Sequence, residues 1–221
     1  MSQHVSDAVS LYIENKHLVE RFMQNVLASF SLEPALNSAP FPLIHTIKYR
    51  LKDPIHLADK LHRMGDKFKD KNELFTQVND LAGIRILHLY QDDFPLIHRH
   101  IMNMVENDEW RLLEQPVAYS WDPELNAFFQ ELSLDVRIKD SHYTSIHYVV
   151  APPNSKTNVS CEIQVRTLFE EIWGEIDHSI NYPYPTKNMP VKEQIRVLSK
   201  LVSTGSRLAT SIYRSNTPQV E

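Results

Sequence analysis

Four short stretches of the chain carry side chains that could act together on a phosphorylated substrate. They are Arg50-Leu-Lys52, Asp80-Leu-Ala-Gly-Ile-Arg85, His142-Tyr-Thr-Ser-Ile-His147 and Glu162-Ile-Gln-Val-Arg166-Thr. Each spaces its charged or ring-bearing residues so that they share one face of an extended or helical element. Together they offer cations for phosphates, two carboxylates for a metal and an aromatic ring for a base. Phosphoryl transfer depends chiefly on positioning and charge neutralisation, and these residue types supply both without a covalent nucleophile.

The cations come first in the chain. Ile47, Tyr49 and Leu51 alternate with Lys48, Arg50 and Lys52, as in a short strand. Asp53 and Pro54 then start a helix, Asp53 as its N-cap and Pro54 at its first position. His56, Lys60 and Arg63 share one face of that helix, and Leu57, Leu61 and Met64 take the core side. Arg50, Lys52, Lys60 and Arg63 could cradle a triphosphate; alone, a solvated basic face would look the same. Asp80 stands at the mouth of a strand running from Ile84 to Tyr90, where ligands gather in sheet proteins. Gly83 permits close backbone approach there, and Arg85 projects opposite Ile84 and Ile86.

A strand over 159–166 has Val159, Cys161, Ile163 and Val165 on one face and Ser160, Glu162, Gln164 and Arg166 on the other. Asp80 and Glu162 are the candidate ligands of a shared Mg2+, which takes few carboxylates and completes its shell with phosphate oxygens and water. A strand from His142 to Ala151 puts Tyr143, Ser145 and His147 on one face. There Tyr143 could stack on a base and His147 could bind a phosphate or hydroxyl. Singly, each is an ordinary solvent-facing sheet residue. Their number and order point to one site.

The elements that must hold these groups follow from periodicity. Ala8, Leu11, Tyr12, Leu18, Phe22 and Val26 mark a helix over 5–31, and three prolines in 32–43 mark a linker. Residues 65–77 read as a loop with a short helix, Phe94 to Asn107 as a helix, Trp110 to Val117 as a strand, and 119–135 as a helix or mobile loop. Val136 to Ile138 begins an extended stretch. Leu168 to Asn181 reads as a helix built on Leu168, Ile172, Ile176 and Ile180, with Trp173 in the core and His178 bracing the site. A proline-rich break leads to a last helix from Val191 to Arg214. The expected fold class is α+β: a mixed sheet of about five strands flanked by helices, with extra N- and C-terminal helices.

Composition limits the partners. Lys+Arg 23 against Asp+Glu 28 gives a net charge of -5, a poor balance for general nucleic-acid binding. The one cysteine, Cys161, excludes a disulfide within the chain, fits a reducing compartment and falls on an apolar strand face. No apolar run reaches the ~18 residues of a membrane span. No basic segment followed by an apolar core opens the chain. A cytoplasmic protein without a membrane partner is expected.

In this order and spacing the motifs resemble those of the RelA/SpoT alarmone synthetase family, especially its small stand-alone synthetases. The resemblance runs from about Arg50 to Tyr182. The family's Arg-x-Lys is Arg50 and Lys52, followed by a basic helix that here carries Lys60 and Arg63. Its Asp-x-x-Gly-x-Arg is Asp80, Gly83 and Arg85. The Tyr, Ser and His of Gly-Tyr-Arg-Ser-x-His are Tyr143, Ser145 and His147. Its Glu-x-Gln-x-Arg-Thr is Glu162, Gln164, Arg166 and Thr167, and the Trp and His that follow are Trp173 and His178.

The resemblance implies a nucleotidyltransferase-like fold and transfer of pyrophosphate from ATP to the 3'-hydroxyl of GDP or GTP, giving (p)ppGpp and AMP. It implies Asp80, Glu162 and Gln164 as catalytic residues, with Asp80 and Glu162 holding Mg2+ and Glu162 also activating the hydroxyl. Arg50, Lys52, His56, Lys60, Arg63 and Arg85 fall on the ATP side, Arg85 against the adenine. Lys139, Tyr143, His147, Arg166 and Glu171 fall on the acceptor side. Residues 1–43 become a helical extension and linker, 44–185 the synthetase domain, and 186–221 a C-terminal helix and tail, the tail a frayed end or the cut edge of a longer protein. The terminal helices could join a homo-oligomer. Four positions depart from the family: His142 for Gly, Thr144 for Arg, His56 for a small hydroxyl residue, and Glu171 for Asn. His142 and Thr144 flank the acceptor platform and bear on the acceptor more than the donor, so a relative that modifies tRNA 3' ends or makes adenosine alarmones remains an alternative, as does a non-catalytic nucleotide sensor. No His-Asp dipeptide occurs, so the family's hydrolase metal motif is missing and no alarmone hydrolysis is expected.

Overall fold

The computed structural model describes residues 3–154 and 158–216. Helix α1 (Gln3–Ser31) buries Val5, Ala8, Tyr12, Val19, Phe22, Met23, Val26 and Phe30 along one stripe. Tyr12 donates its hydroxyl to the Lys52 carbonyl at 2.7 Å, which ties the helix to the end of the first strand. The expected linker contains one helical turn, α2 (Pro34–Asn37), begun by Glu33. Strand β1 (Thr46–Leu51) leads to α3 (Pro54–Met64), where Asp53 accepts from the Ile55 and His56 amides as its spacing predicts. A cap of this kind is worth about 1 kcal/mol. After α4 (Leu74–Gln77) come β2 (Ala82–His88) and α5 (Phe94–Glu106).

The single strand expected from Trp110 to Val117 is two, β3 (Arg111–Leu112) and β4 (Val117–Tyr119). Pro116 lies between them and has no amide to continue a ladder. The stretch 119–135 resolves into α6 (Pro123–Glu131), capped by Asp122, and β5 (Asp135–Arg137) follows. Strand β6 (Ser145–Ala151) starts three residues later than expected, because His142 turns the backbone into the left-handed region at φ +62°. His142 and Tyr143 therefore belong to a turn. Strand β7 (Cys161–Thr167), α7 (Leu168–Asn181) and α8 (Met189–Asn216) complete the described chain. The expected tail over 215–221 falls partly in α8, and its residues 217–221 lie outside the described residues.

Among the described residues the sheet has seven strands, two more than expected, in the order β1-β2-β7-β6-β4-β5, with β3 on β6. The β2–β7 and β4–β5 pairs are parallel and the others antiparallel. One face is apolar: Ile84, Ile86, Ile146, Tyr148, Cys161, Ile163 and Val165 share a buried cluster with α1, α3 and α5. The other face is charged, and register sets its rows. Arg50 lies opposite Gly83, which lies opposite Glu162. In the next row Lys48, Arg85, Gln164 and His147 stand side by side.

The sequence reading of α7 is corrected. Its spaced isoleucines, Ile172, Ile176 and Ile180, face outward, and Glu170, Glu171 and Trp173 are the buried residues. The cause is the charged sheet face below, which calls for carboxylates. Helix α8 lies on α7 with Ser199, Ser203, Ser206 and Thr210 inward and Val197, Leu201, Leu208 and Ile212 exposed.

Glu170 caps α7 from inside: its carboxylate accepts from the Thr167 amide at 2.7 Å. Burial pushes its pKa up to about 7, against the pull of the Thr167 hydrogen bonds. The folded chain thus holds this proton up to about pH 7, while the unfolded chain releases it near 4.5, so stability falls as pH rises through that window and levels off above it. Glu170→Gln keeps an acceptor for Thr167 and removes the titration. Thermal melts should show the variant gaining on the parent as pH rises from about 4.5 to about 7; a constant difference would show that Glu170 does not titrate there.

Candidate active site

The basic helix and the first strand enclose a cavity of about 550 Å³. Arg50, Lys52, Lys60, Arg63 and Lys67 bring positive charge to its wall, and Asp53 and Asp80 bring negative charge. Asp53 is occupied in capping α3. Asp80 accepts from Lys52 at 2.5 Å and Lys60 at 2.7 Å. Burial opposes its ionisation, but the two ammonium groups outweigh burial and hold its pKa below the usual carboxylate range. Burial also lowers the Lys52 pKa, with Lys60 and Arg50 adding to the effect and Asp80 opposing it. A surplus of cations in a concave wall is a receptor for a polyphosphate.

Five of the six residues that the resemblance gives to the ATP side line this cavity: Arg50, Lys52, His56, Lys60 and Arg63. Lys67 was missed; it lies beyond the end of α3, in the turn that follows Gly65. Opposite the cations, His178 stacks on Tyr182 with centroids 4.5 Å apart, and His56 meets Tyr182 edge-on at 5.6 Å. His178, which follows Trp173 in the chain, thus lies in the cavity wall against the Tyr182 ring.

A second cavity of about 290 Å³ shares Arg50, Asp80 and His178 with the first and adds Gly83, Arg85, Glu162 and Gln164. A Cβ on Gly83 would meet no protein atom within 4 Å, so the space above it is open to a ligand. Arg85, the sixth ATP-side residue, donates to Glu171 at 3.0 Å and Glu175 at 2.5 Å. Burial works against its charge and the two carboxylates more than compensate, raising its pKa. Lys48 joins the same pair of acids, 2.8 Å from Glu171. Alternation with Arg50 put Lys48 on this face; Glu175, one turn beyond Glu171, was not foreseen.

The acceptor-side residues converge beyond Glu162. Arg166 donates to the Tyr143 hydroxyl at 3.0 Å, and that hydroxyl lies 2.9 Å from His147 Nε2. His147 Nδ1 lies 3.1 Å from Glu162 Oε1. Burial lowers the His147 pKa and Arg166 and Lys139 add to this, against Glu162, so the ring is neutral near neutral pH. Burial most strongly opposes the charge of Glu162, but its interactions with His147 and Gln164 together hold its pKa below the usual carboxylate range, so it stays ionised. A carboxylate cannot donate, so Nδ1 carries the proton and Nε2 accepts from Tyr143. Gln164 donates to Glu162 Oε2 at 2.8 Å and accepts from Arg166. The result is one directed track from Arg166 through Tyr143 and His147 to Glu162. Lys139 sits over the rings of Tyr119 and Tyr143 at 3.8 and 4.5 Å. Tyr119 was also missed; it is distant in sequence and carries no motif. Glu171, read as an acceptor residue, lies under this cluster, 3.3 Å from Arg166 Nη1.

Asp80 and Glu162 fit a magnesium ion. Both line the smaller cavity, both carboxyls are held below their usual pKa, and the charge of Asp80 disfavours that of Glu162, which a cation shared by the two would relieve. No cluster of three His, Cys, Asp or Glu occurs among the described residues. Two carboxylates completed by phosphate oxygens and water are the usual Mg2+ donor set.

Comparison with known proteins gives the same direction. The family model described as the region found in RelA / SpoT proteins matches residues 49–187. The chain is 27% identical over 177 residues to the GTP pyrophosphokinase YwaC of Bacillus subtilis, covering 76% of this chain and 74% of that one. It is 29% identical over 169 residues to the GTP pyrophosphokinase YjbM of the same organism, covering 75% and 68%. Its fold matches the crystal structure of the small alarmone synthetase 1 from Bacillus subtilis bound to its product pppGpp, with a TM-score of 0.69, 22% identity, and 95% and 97% of the two chains covered.

Open space above Gly83 gives a direct test. Gly83→Val adds a strand-favouring side chain that meets no protein atom at its Cβ, so the melting temperature should hold. The side chain enters the cleft between Arg50 and Glu162, and ATP affinity measured by calorimetry should fall by about tenfold or more. Parent-like ATP binding would mean that no nucleotide occupies this space.

Proposed function

The chain belongs to the RelA/SpoT family, and from that premise we propose that it is a GTP/GDP pyrophosphokinase, moving pyrophosphate from ATP to the 3'-hydroxyl of GDP or GTP to give (p)ppGpp and AMP. The observation that carries this reading is the continuity of the polar surface. The cationic cavity meets the smaller cleft at Arg50 and Asp80, and from Glu162 in that cleft the hydrogen-bonded track leads to Tyr143. A donor, a reacting centre and an acceptor platform would then lie in sequence.

In this mechanism Arg50, Lys52, Lys60 and Arg63, joined by Lys67, bind the ATP phosphates. A triphosphate competes with Asp80 for Lys52 and Lys60 and so frees the carboxylate. Arg85 packs on the adenine once it leaves Glu175. Tyr143 stacks on the acceptor base, with Lys139 and His147 near its phosphates and Arg166 and Glu171 setting the ring from below. Glu162 takes the proton of the 3'-hydroxyl as that oxygen attacks the β-phosphorus and AMP departs. Gln164 and His147 aim the Glu162 oxygens for that step. Mg2+ on Asp80 and Glu162 would neutralise charge on the phosphoryl oxygens. Burial of the cysteine, and the absence among described residues of a helix long and apolar enough to cross a membrane, suit the cytoplasmic location we propose. The exposed stripe of α8, Val197, Leu201, Leu208 and Ile212, is where we propose that a homo-oligomer would join.

Purified protein with Mg2+ and γ-labelled ATP should pass label to GDP or GTP; label in an adenosine product or tRNA would overturn the acceptor, and no transfer would favour a sensor. Chelation of Mg2+ should stop the reaction. Asp80→Ala and Glu162→Ala should each lower kcat by about 10²-fold or more with an unchanged circular dichroism spectrum. Tyr143→Ala should raise the KM for the acceptor and spare that for ATP, and equal increases would refute stacking.

A further inference from the structure

We propose that Arg196 and Ser199 of α8 are positioning residues for the acceptor nucleotide, because they hold the turn that presents Lys139 and Tyr143. The inference rests on the acceptor-side reading of that turn. The turn spans the gap between β5 and β6. Within it the His142 amide donates to the Lys139 carbonyl at 2.9 Å. At its centre His142 has φ +62°, a region that residues with a Cβ seldom adopt. Backbone of this kind persists where its surroundings fix it.

The surroundings come largely from α8. Ser199 Oγ donates to the His142 carbonyl at 2.9 Å, and Arg196 Nε donates to the Asp140 carbonyl at 3.1 Å. Both carbonyls lie between Lys139 and Tyr143 in the chain. The His142 ring stacks on Trp121, 4.9 Å between centroids and 16° from parallel. The next residue, Asp122, accepts from Ser203 of α8 at 2.8 Å, so the same helix also holds the far side of the stack. Tyr143 itself packs on the cluster of Trp173, Ile195 and Val202. Arg196 and Ser199 lie beyond residue 187, where the family match ends, so the grip is read from this chain's own contacts.

The consequence is specific. If either carbonyl bond is lost, the turn gains freedom that the acceptor must remove on binding. The ATP phosphates are held across the sheet by β1 and α3, which this change does not touch. Arg196 and Ser199 should therefore act on the acceptor KM, and through the placing of Tyr143 over the His147–Glu162 pair, with little effect on the ATP KM.

The experiment is steady-state kinetics on the full chain, varying ATP and the guanine nucleotide separately, for Ser199→Ala, Arg196→Ala and their double variant. Each single change should raise the acceptor KM by about threefold to tenfold, the range for loss of one hydrogen bond, and the double change by more, with the ATP KM within about twofold. Arg196→Lys keeps a donor and should restore most of the loss. Glu193→Ala breaks the 2.9 Å pair between Glu193 and Arg196 and spares the carbonyl bond, so it should leave the acceptor KM unchanged. Equal changes for both substrates, or a parent-like acceptor KM in the double variant, would overturn the proposal. If the double variant melts below the assay temperature, Arg196→Ala against Arg196→Lys decides alone. Failure of the acceptor reading is distinct: the parent itself would then pass no label to GDP or GTP.

Discussion

Glu171 is a carboxylate 4% exposed with cations from three strands around it: Lys48 of β1, Arg85 of β2 and Arg166 of β7. Burial opposes its charge, and these partners together overcome the penalty and keep its pKa low. Removing the acid would leave Arg166, its buried partner, without a counterpart, and breaking a buried pair in this way typically costs about 3–5 kcal/mol. The charged sheet face would repel itself without this helix-borne acid. Its pairing fixes which side of α7 faces the sheet, and so why the isoleucines point outward. Gly174 belongs to the same constraint, since a Cβ there would lie 2.6 Å from Arg166 Nη1. With α7 so placed, Trp173 reaches α8, where its indole donates to the Ile195 carbonyl at 2.9 Å. Placement of α8, and through it of the turn bearing Tyr143, follows from one buried ionic group.

What could be read from sequence was what local periodicity encodes. Asp53 and Pro54 begin α3 because capping chemistry is decided within a few residues. Arg50, Gly83 and Glu162 share a row because alternation fixes the face of each strand and register then aligns them. Periodicity also found α7, but it could not say which face turns inward. Spaced isoleucines ordinarily mark the buried side, and here the electrostatic demand of the sheet overrode them. The split at Pro116 was visible as a proline, yet its effect depended on β6 pairing with both halves. Tyr119, the grip of α8 on the His142 turn and the pairing of Lys48 with Glu171 are contacts between distant segments, and no local pattern announces them.

The departures from the family motifs acquire physical content in the fold. Where the family has glycine before its tyrosine, the backbone is left-handed, which is what glycine permits at little cost. His142 occupies that backbone with a ring that stacks on Trp121 and a carbonyl that receives Ser199. Where the family has asparagine, Glu171 supplies a full negative charge to three cations. Both changes exchange a small or neutral residue for one tied into its surroundings. Both lie on the proposed acceptor side. The donor cations, by contrast, stay on a strand edge and one helix face, where the motif residues themselves suffice.

The two carboxylates of the proposed reacting centre differ in how they are held, and the difference suits different tasks. Asp80 is gripped by two flexible ammonium groups, which a polyphosphate can draw away. Glu162 is aimed by a neutral imidazole and an amide, neither of which an anion would attract strongly. The first arrangement would respond to the proposed donor: phosphate filling the cavity would release the carboxylate as its lysines turn to the ligand. The second stays fixed while the donor binds, and its direction is set by the proton on His147 Nδ1. Protonation of His147 at Nε2 would replace an acceptor with a donor and break the hydrogen bond from Tyr143, so the ring and the base would lose their common orientation together. Burial of His147, by lowering its pKa, keeps that track intact at neutral pH.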